Sequence, residues 1–557
     1  MNRYVIHRSL RTYAAVVALC LGSAPLAYGA AAKLGTPVAE QTTSDMATAI
    51  RALLTSNDQA ILSPDLAPLR PLYAERNFQP IWSGNAETRE RANVARMALA
   101  HADDQGLSLA DYAIQTAPAA GPAQQAAEED VALTQAVLRY ARDVRTGRLP
   151  PNAIYRDSGL PDVKFDSVSA LAGAVRNGGI TNFLADLPPT HAEYRRLVSA
   201  LAQYRAMEAQ GGWPAIPAAG EIKIDTGDSR EDLLRRRLAV EDPDTALTTG
   251  GDLLAALKRY QMRNGLTPDG RVGKLTLEML NVSASERVAQ IEANMERWRW
   301  LPRTFERRYI AVNAPDESLQ FVEDGIVTLT SRVIIGRPQS PTPIFRANAV
   351  AVTANPPWNV PHAIAVKEIL PKLKRDPNYL ASQDMILVNG PPGDPAGVHI
   401  NWRAMTAREF PYRIQQVPGA KNALGALKLE LPNKFNVYLH DTPGKVAFER
   451  DQRALSHGCI RVQQILPLAA LALGGDRQMT LDDLNAAIGS GVTQQIKLND
   501  PLPIYVLYWT AIAQEDGTVA FRRDLYGRDR RLTEAVDNRL PLSRLAMYTG
   551  GCQILPG

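Results

Sequence analysis

A cysteine with two histidines near it is the set of residues in this 557-residue chain best suited to covalent chemistry. Cys459 lies in the segment SHGCIR at residues 456–461, and His440 lies nineteen residues before it. A free cysteine has a pKa of about 8.5, so it acts as a nucleophile at neutral pH only beside a base or a positive charge. His440 or His457 could be that base. The amides of Gly458 and Cys459 could bind the oxyanion of a tetrahedral intermediate.

Three other interpretations of this cysteine are open from the residues alone. A lone cysteine is often a small, buried apolar side chain. His440, His457 and Cys459 could instead be three zinc ligands with an open fourth position, although no Cys-x-x-Cys or His-x₃-His pair accompanies them. An exported chain often pairs its cysteines, and a disulfide between Cys459 and Cys552 would remove the nucleophile. Cys552 lies in a glycine-rich tail, where we do not expect a stable pairing.

The elements around the cysteine are expected to place it between a strand and a helix. Residues 434–439 alternate apolar and polar side chains, which predicts a half-buried strand that His440 closes. Residues 460–473 are largely apolar and predict a helix, in which Pro467 must either lie within the first turn or break the helix. A thiol in front of a helix N-terminus lies where the helix dipole favours the thiolate.

The motif at 456–461, together with the segment NVYLHDTP at 436–443, resembles the signature of the L,D-transpeptidases, the YkuD-type cysteine enzymes of bacterial cell walls. The resemblance extends to their large periplasmic, YcbB-like branch. It implies that Cys459 is the nucleophile, that His440 is the general base and acid, and that the Gly458 amide binds the oxyanion. It also implies no metal and no organic cofactor. The residues that would line the substrate cleft are Tyr438, His457, Arg461 and Trp358, the last within the segment NPPWNVP at 355–361.

By this resemblance the chain is expected to catalyse acyl transfer between stem peptides of peptidoglycan. Cys459 would attack the carbonyl of the third residue of a tetrapeptide stem and expel the terminal D-alanine. The side-chain amine of diaminopimelate on a neighbouring stem would then convert the thioester to a 3–3 cross-link. Carbapenems would acylate the same cysteine. Two alternatives are an L,D-carboxypeptidase that hydrolyses the same acyl-enzyme and a non-catalytic anchor that only binds peptidoglycan.

Composition and the first residues indicate an exported globular protein. The hydrophobic fraction of 45% and the charged fraction of 22% are ordinary, and a net charge of +4 gives no indication of nucleic-acid binding. Residues 1–32 combine arginines, a short apolar run and a small-x-small site, which predicts a cleaved secretory signal. No later stretch is apolar enough to predict a transmembrane anchor. The resemblance implies the periplasm of a Gram-negative type envelope, with stem peptides and glycan as partners.

The length of the chain predicts three or four domains. We expect a multidomain protein with a mainly-α scaffold, a small three-helix peptidoglycan-binding module and a mainly-β catalytic domain of the YkuD type with a lid insertion. A helix over 253–262, a turn at 267–270 and a second helix from 272 are similar to the type 1 peptidoglycan-binding family. The expected divisions are a scaffold at 43–228, the module at 229–282, a returning scaffold helix at 283–307, the catalytic domain at 308–530 with its lid at about 376–430, and a tail at 531–557.

Overall fold

The computed structural model describes residues 38–55, 66–114, 121–242, 251–474 and 479–538. The predicted signal at 1–32 and the cysteine of the tail, Cys552, lie outside these residues. Within them, no helix combines the length and the apolar character needed to cross a membrane. The expected fold class is confirmed, because helices occupy the N-terminal half and a mainly-β domain follows.

A helical region precedes the module and has its own apolar core, which includes Trp82 and Val137. Asp130 accepts hydrogen bonds from the amides of Ile81 and Trp82 (3.0 and 2.9 Å), which ties the segment after the second helix to the fourth. A two-residue strand, β1 (Ser158–Gly159), leaves this region and pairs in parallel with a strand of the catalytic domain. The helices are α1 (Val38–Thr55), α2 (Leu69–Ala74), α3 (Ala86–Ala100), α4 (Pro122–Thr146), α5 (Pro151–Ile154), α6 (Ser167–Arg176), α7 (Ile180–Ala185) and α8 (Ala192–Ala209).

The module consists of three helices, as the sequence predicts, and a two-stranded sheet. Its elements are β2 (Ile222–Lys223), α9 (Glu231–Glu241), α10 (Leu253–Arg263), β3 (Arg271–Val272) and α11 (Lys274–Leu280). Asp252 caps α10 by accepting a hydrogen bond from the Ala255 amide (2.9 Å), and Gly265 takes a φ of +70° in the turn that ends it. The module contacts the catalytic domain, where the Phe521 amide donates to Asn264 Oδ1 (2.9 Å).

A long helix, α12 (Ala284–Arg299), leads from the module to the catalytic domain. It begins with a capping box between Ser283 and Glu286. The helix packs against α8 of the scaffold, as expected, and also against the catalytic domain. Asn294 and Thr510 exchange two hydrogen bonds across that second contact (2.8 and 2.9 Å). The scaffold and the catalytic domain therefore share one apolar core.

A closed β-barrel forms the centre of the catalytic domain. The strands are β4 (Arg308–Asn313), β5 (Ser318–Glu323), β6 (Ile326–Gly336), β7 (Ile344–Ala354), β8 (Trp358–Asn359), β9 (Met385–Leu387), β10 (Ile414–Gln416), β11 (Leu427–Glu430), β12 (Leu439–His440), β13 (Ala454–Ser456), β14 (Ile460–Val462), β15 (Gln494–Leu507), β16 (Ala511–Ala513) and β17 (Val519–Phe521). Eight of them pair in the order β7-β11-β12-β14-β6-β5-β4-β15, and β15 pairs again with β7. Alternate residues such as Ile310, Leu319 and Ile504 are fully buried in its interior.

Short helices complete the domain. They are α13 (His362–Ile364), a π-helical segment (Ala365–Ile369), α14 (Leu370–Leu373), α15 (Tyr379–Ser382), α16 (Ile465–Leu473), α17 (Leu481–Gly489) and α18 (Arg528–Asp537). The last of these corrects one expected division. The tail was expected from residue 531, but α18 crosses that boundary and buries Leu532 in the core.

The prediction of a strand at 434–439 is wrong, because only Leu439–His440 pairs with neighbouring strands. Asn433 Oδ1 accepts hydrogen bonds from the amides of Phe435 (3.0 Å) and Val437 (3.2 Å), and Asn436 has a φ of +54°. An asparagine that bonds to the backbone just ahead of it competes with strand pairing. The segment therefore turns until it reaches Leu439.

The helix predicted at 460–473 begins later than expected. Ile460–Val462 is the strand β14, which pairs with β12 on one side and β6 on the other. The helix α16 follows at Ile465, and Pro467 lies in its first turn, where it removes no helical hydrogen bond. Cys459 is thus followed by a strand and not by a helix N-terminus.

The lid is larger than expected and begins earlier. It leaves the barrel after β7 and returns at β11, so it occupies residues 355–426. Its strands form a separate sheet in the order β8-β10-β9, and its apolar core joins Ile369 and Leu373 to Trp402 and Ile414. The expected span of 376–430 was wrong at both ends. It omitted the helical segment before residue 376, which packs into the lid core, and it included β11, which belongs to the barrel.

Candidate active site around Cys459

Two short parallel strands bring the predicted catalytic residues to one face of the barrel. The pairing of β12 with β14 places His440 opposite Arg461. Tyr438 and Cys459 come just before these two strands and lie beside each other, since the Ile460 amide donates to the Tyr438 carbonyl (3.1 Å). Side chains alternate along strands, so all four project from the same face. Spacings of about 4.8 Å between strands and about 3.3 Å per residue put the Cα atoms of His440 and Cys459 about 8 Å apart, which their side chains can span.

Two hydroxyl groups hold the turn that precedes the thiol. Gly458 has a φ of +115°, where any side chain would be strained. The buried Thr342 Oγ1 donates to the Gly458 carbonyl (2.9 Å) and accepts from the Gly336 amide (2.9 Å). Ser456 Oγ donates to the Cys459 carbonyl (2.6 Å) and accepts from the Gly458 amide (3.0 Å). These bonds fix the backbone that carries the nucleophile.

One of the two amides expected to bind an oxyanion already has a hydrogen-bond acceptor in this structure. The Gly458 amide already donates to Ser456 Oγ, and that hydrogen bond would have to break before Gly458 could bind an oxyanion. The Cys459 amide is the other expected donor and belongs to the nucleophilic residue itself. The predicted role of Gly458 therefore stays a prediction that depends on a rearrangement of Ser456.

The Cys459 thiol is protonated at neutral pH. Burial raises the pKa of the thiol, and this outweighs the hydrogen bonds of Tyr438 and the positive charges of Lys428 and Arg461, which lower it. The expectation that a helix dipole favours the thiolate is wrong, because β14 separates the cysteine from α16. The Sγ atom lies 3.8 Å from the carbonyl oxygen of Asn436, to which a thiol can donate weakly.

His440 is buried and uncharged. Burial, followed by the positive charge of Arg461, lowers the pKa of its imidazole to about 3, although the nearby carbonyls of Asp441 and Leu424 favour the protonated ring. Its Nδ1 atom is buried and has no hydrogen-bond partner within the described residues. A neutral imidazole with an unpaired nitrogen is the form that a proton acceptor needs.

Arg461 places a positively charged guanidinium beside both Cys459 and His440, and not all of its hydrogen-bond donors have a partner among the described residues. Its guanidinium is half-buried, and burial lowers its pKa, while the charge that Cys459 acquires on ionisation raises it. The buried Nε has no hydrogen-bond partner in the part of the chain that the structure describes. Such a group suits the binding of an anion, because a guanidinium binds carboxylates through several donors.

Tyr438 and Trp358, both predicted to line the cleft, lie together beside the thiol. The Tyr438 hydroxyl makes side-chain hydrogen bonds with Cys459 and with Trp358, and burial raises its pKa. Lys428 is opposite His440 in the pairing of β11 with β12, and its Nζ lies 4.4 Å from the centroid of the Tyr438 ring. Sequence reasoning missed Lys428, because only the register of two strands brings it to the site.

His457 points away from the thiol. Its Nε2 lies 2.5 Å from Glu368 Oε1 in the lid and 2.8 Å from Arg337 Nη2, and Arg337 lies 3.4 Å from the same carboxylate oxygen. His457 therefore links the lid to the turn that carries Cys459, and the structure brings it neither to the thiol nor to His440. Across the described ranges, no group of three or more His, Cys, Asp or Glu side chains is arranged to hold a metal ion.

A buried carboxylate fixes the start of the loop that leads to the nucleophile. Both oxygens of Glu317 accept a hydrogen bond from the Arg453 amide (2.8 Å each), and the Arg453 guanidinium lies 3.6 Å away. Burial raises the pKa of Glu317 to about 7, although Arg453 opposes this. The sequence offers no signal for this residue, since an isolated glutamate between two strands is usually exposed.

Comparison with known proteins agrees with this geometry. Residues 307–480 match the family model described as "L,D-transpeptidase catalytic domain" (YkuD), residues 67–201 match "Scaffold domain", and residues 236–280 match "Putative peptidoglycan binding domain". A protein of Haemophilus influenzae named "Putative L,D-transpeptidase" is 36% identical over 231 residues, which are 41% of this chain and 46% of that protein. The match thus spans less than half the length of that relative.

A solved structure named "Structure of the Ldtfm-avibactam carbamoyl enzyme" aligns with 36% of this chain and 49% of its own chain, at 13% identity and a TM-score of 0.18. So low a score supports no conclusion. The family matches together cover much of the helical region, most of the module and the barrel from β4 to β14, and β15 lies beyond them. The chain therefore carries a YkuD-type L,D-transpeptidase catalytic domain, together with a scaffold domain and a peptidoglycan-binding domain.

Proposed function

We propose that the chain is a periplasmic L,D-transpeptidase that forms 3–3 cross-links in peptidoglycan. The observation that carries this proposal is the placement of Cys459 and His440 on one face of the barrel, with Nδ1 of His440 unpaired among the described residues. Both residues lie within the region that matches the catalytic domain. The predicted signal at 1–32 and the peptidoglycan-binding domain support action on the cell wall.

The first half-reaction forms a thioester. As Cys459 Sγ attacks the carbonyl carbon of the third stem residue, His440 Nδ1 takes the thiol proton. The Cys459 amide would donate to the developing oxyanion, joined by the Gly458 amide once Ser456 Oγ releases it. When the tetrahedral intermediate collapses, the bond to the terminal D-alanine breaks and its nitrogen takes the proton from His440. D-alanine leaves, and the tripeptide stem stays on Sγ.

The second half-reaction transfers the stem to an amine. The side-chain amine of diaminopimelate attacks the thioester carbonyl and gives a proton to His440. The C–S bond then breaks, and the sulfur leaves with that proton as the thiol. The products are a new amide, the 3–3 cross-link, and the enzyme in its starting state. Every proton passes through one imidazole, which explains why a second histidine beside the thiol is not needed.

Substrate binding is proposed for the polar and aromatic groups around the thiol. Arg461 would bind the carboxylate of the terminal D-alanine, since its guanidinium lies on the same face as both catalytic groups and can bind a carboxylate through several donors. Trp358 and Tyr438 would form an apolar wall along the stem. The lid, which contributes Trp358 and contacts His457 through Glu368, would exclude water from the thioester and so favour attack by an amine over hydrolysis.

Incubation of the purified full chain with tetrapeptide muropeptides tests this proposal. We expect dimers joined by 3–3 links, and none with Cys459→Ala or His440→Asn. The matched control is His101→Asn, which changes an exposed histidine of the scaffold and should keep cross-linking. Release of D-alanine without dimers would favour the L,D-carboxypeptidase alternative.

Mass spectrometry after treatment with a carbapenem separates the remaining alternatives. We expect an adduct that disappears in Cys459→Ala and that forms equally well with a chelator present. A chain that forms no adduct, yields no product and still binds peptidoglycan would be the non-catalytic anchor. Loss of adduct formation on chelation would instead favour the zinc interpretation.

A further inference from the structure

A large cavity among the described residues does not belong to the site at Cys459. It has a volume of about 1000 Å³ and lies on the outer face of β4 and β5, between the start of α8, the segment after α12 and the hairpin of β16 and β17. The scaffold forms one wall and the barrel the other. Binding pockets for small ligands have volumes of about 300–1000 Å³, so the cavity is large enough for several sugar rings.

An array of aromatic rings lies along this cavity. Trp298 and Trp509 are stacked, with ring centroids 4.5 Å apart and planes 14° apart. His191 lies 5.0 Å from Trp298 and 4.9 Å from Phe305, and Phe305 stacks on Tyr309 at 4.8 Å. Trp298 is buried, whereas Trp509, Phe305 and Tyr309 are half-buried and line the cavity. Such rings offer flat apolar surfaces with polar edges, which match the C–H faces of pyranose rings.

The charged groups around the cavity favour a neutral ligand. Each arginine that lines it has a partner: Arg196 lies 3.0 Å from Glu515, Arg307 lies 3.3 Å from Asp324, and Arg303 donates to the Asp186 carbonyl (2.8 Å). A ligand that carries carboxylates would therefore compete with existing ion pairs, and a stem peptide carries several.

Hydrogen-bonding groups without such partners complete the cavity. Gln320 is exposed on β5, and no side-chain hydrogen bond of it is found within the described residues. Glu193 faces Tyr309, since its charge is one of the causes, after burial, that raise the pKa of Tyr309 to about 12. An amide and a carboxylate beside aromatic faces suit the hydroxyl and acetamido groups of an amino sugar.

We infer that this cavity binds uncharged N-acetyl amino-sugar units of a glycan strand. The inference rests on the proposed function, because it takes peptidoglycan as the ligand. It adds a contact for the glycan that is separate from the peptidoglycan-binding domain and from the acyl-transfer site. A glycan strand held at the seam of scaffold and barrel would keep the attached stem peptides near the catalytic domain by raising their effective concentration.

Calorimetric titration of the full Cys459→Ala chain with the tetramer of N-acetylglucosamine tests the inference. We expect saturable binding that weakens roughly 3- to 10-fold in Gln320→Ala, the loss of one neutral hydrogen bond, and similarly in Glu193→Gln. The matched control is Gln495→Ala, an exposed glutamine on β15 away from the cavity, which should bind as tightly as the parent. Gln320 is exposed and Glu193 is half-buried in the first turn of α8, so circular dichroism of each variant checks that it folds as the parent does.

Equal affinity in all four proteins would overturn the inference, because any binding would then belong to the peptidoglycan-binding domain alone. Displacement of the tetramer by a sugar-free stem peptide would also overturn it, since the cavity would then accept an anionic peptide. The titration requires no turnover. If the wild-type chain failed to cross-link muropeptides while tetramer binding by Cys459→Ala still weakened in the two cavity variants, the proposed function would be refuted and this inference would stand.

Discussion

Glu317 provides a quantitative test of how burial affects the loop before the nucleophile. Its side chain is almost fully buried, and burial raises its pKa from 4.5 to about 7. The difference corresponds to about 3 kcal/mol between the two protonation states. The change to examine is Glu317→Gln, which keeps one oxygen to accept the Arg453 amide and removes the titration.

The sign of this pH dependence follows from the number of protons that the folded and unfolded states bind. Between pH 4.5 and about 7, the folded protein keeps a proton on Glu317 that the unfolded chain has released. The unfolded state then binds fewer protons, so the contribution of this group to the free energy of unfolding falls as the pH rises, and the fall ends near pH 7. Relative to wild type, Glu317→Gln should therefore gain about 3 kcal/mol in the free energy of unfolding between pH 4.5 and pH 8.

Urea unfolding at pH 4.5, 6 and 8, monitored by circular dichroism, would measure this difference. The relevant transition is the one in which the barrel unfolds. The control is Glu515→Gln, whose carboxylate is 88% exposed and pairs only at the surface; its stability should stay within about 1 kcal/mol of wild type at each pH. If the curves of wild type and Glu317→Gln ran parallel across this range, burial would not raise the pKa of Glu317 and the reasoning would fail.

Three further predictions concern the thiol, its turn and the lid. Alkylation of Cys459 by iodoacetamide, followed by mass spectrometry, should keep accelerating beyond pH 9 without a plateau near neutrality, because burial keeps the thiol protonated and no imidazolium is present to stabilise the thiolate. Thr342→Val should slow carbapenem acylation roughly 10-fold in stopped-flow measurements, through two lost buried hydrogen bonds, whereas Thr342→Ser should retain most of the rate. Glu368→Gln should weaken the contact of the lid with His457 and raise the ratio of hydrolysed to cross-linked product, whereas Glu409→Gln within the lid should leave that ratio unchanged.

The residues that carry the motif could be identified from the sequence because their chemistry is local. Gly458 is one example: the sequence shows that it lacks a side chain, and the structure gives it a φ of +115°, which other residues rarely adopt. The module was equally readable, since Asn264-Gly265 ends a helix in any context. Patterns of this kind depend on a few neighbouring residues and need no knowledge of the rest of the fold.

The sequence could not show which distant segments of the chain are in contact. Lys428 reaches the site only through the register of β11 with β12, and Thr342 reaches Gly458 across 116 residues of chain. The prediction of a strand at 434–439 was wrong for a local reason. The side chain of Asn433 accepts hydrogen bonds from backbone amides that would otherwise have paired with a neighbouring strand. The predicted bounds of the lid were wrong because helix and strand patterns do not show which apolar core a segment packs into.

The resting state of the site suggests how substrate binding activates it. The thiol is neutral, and the imidazole has a pKa of about 3, so the free enzyme holds a weak nucleophile beside a weak base. The positive charge of Arg461 is the second cause, after burial, of the low imidazole pKa. A substrate carboxylate bound to Arg461 would neutralise that charge and make His440 a stronger base at the moment when a carbonyl lies beside Cys459. A free enzyme built in this way would react slowly with water and small electrophiles, and the bound substrate would raise the basicity of His440 in part, because burial remains the larger cause of its low pKa.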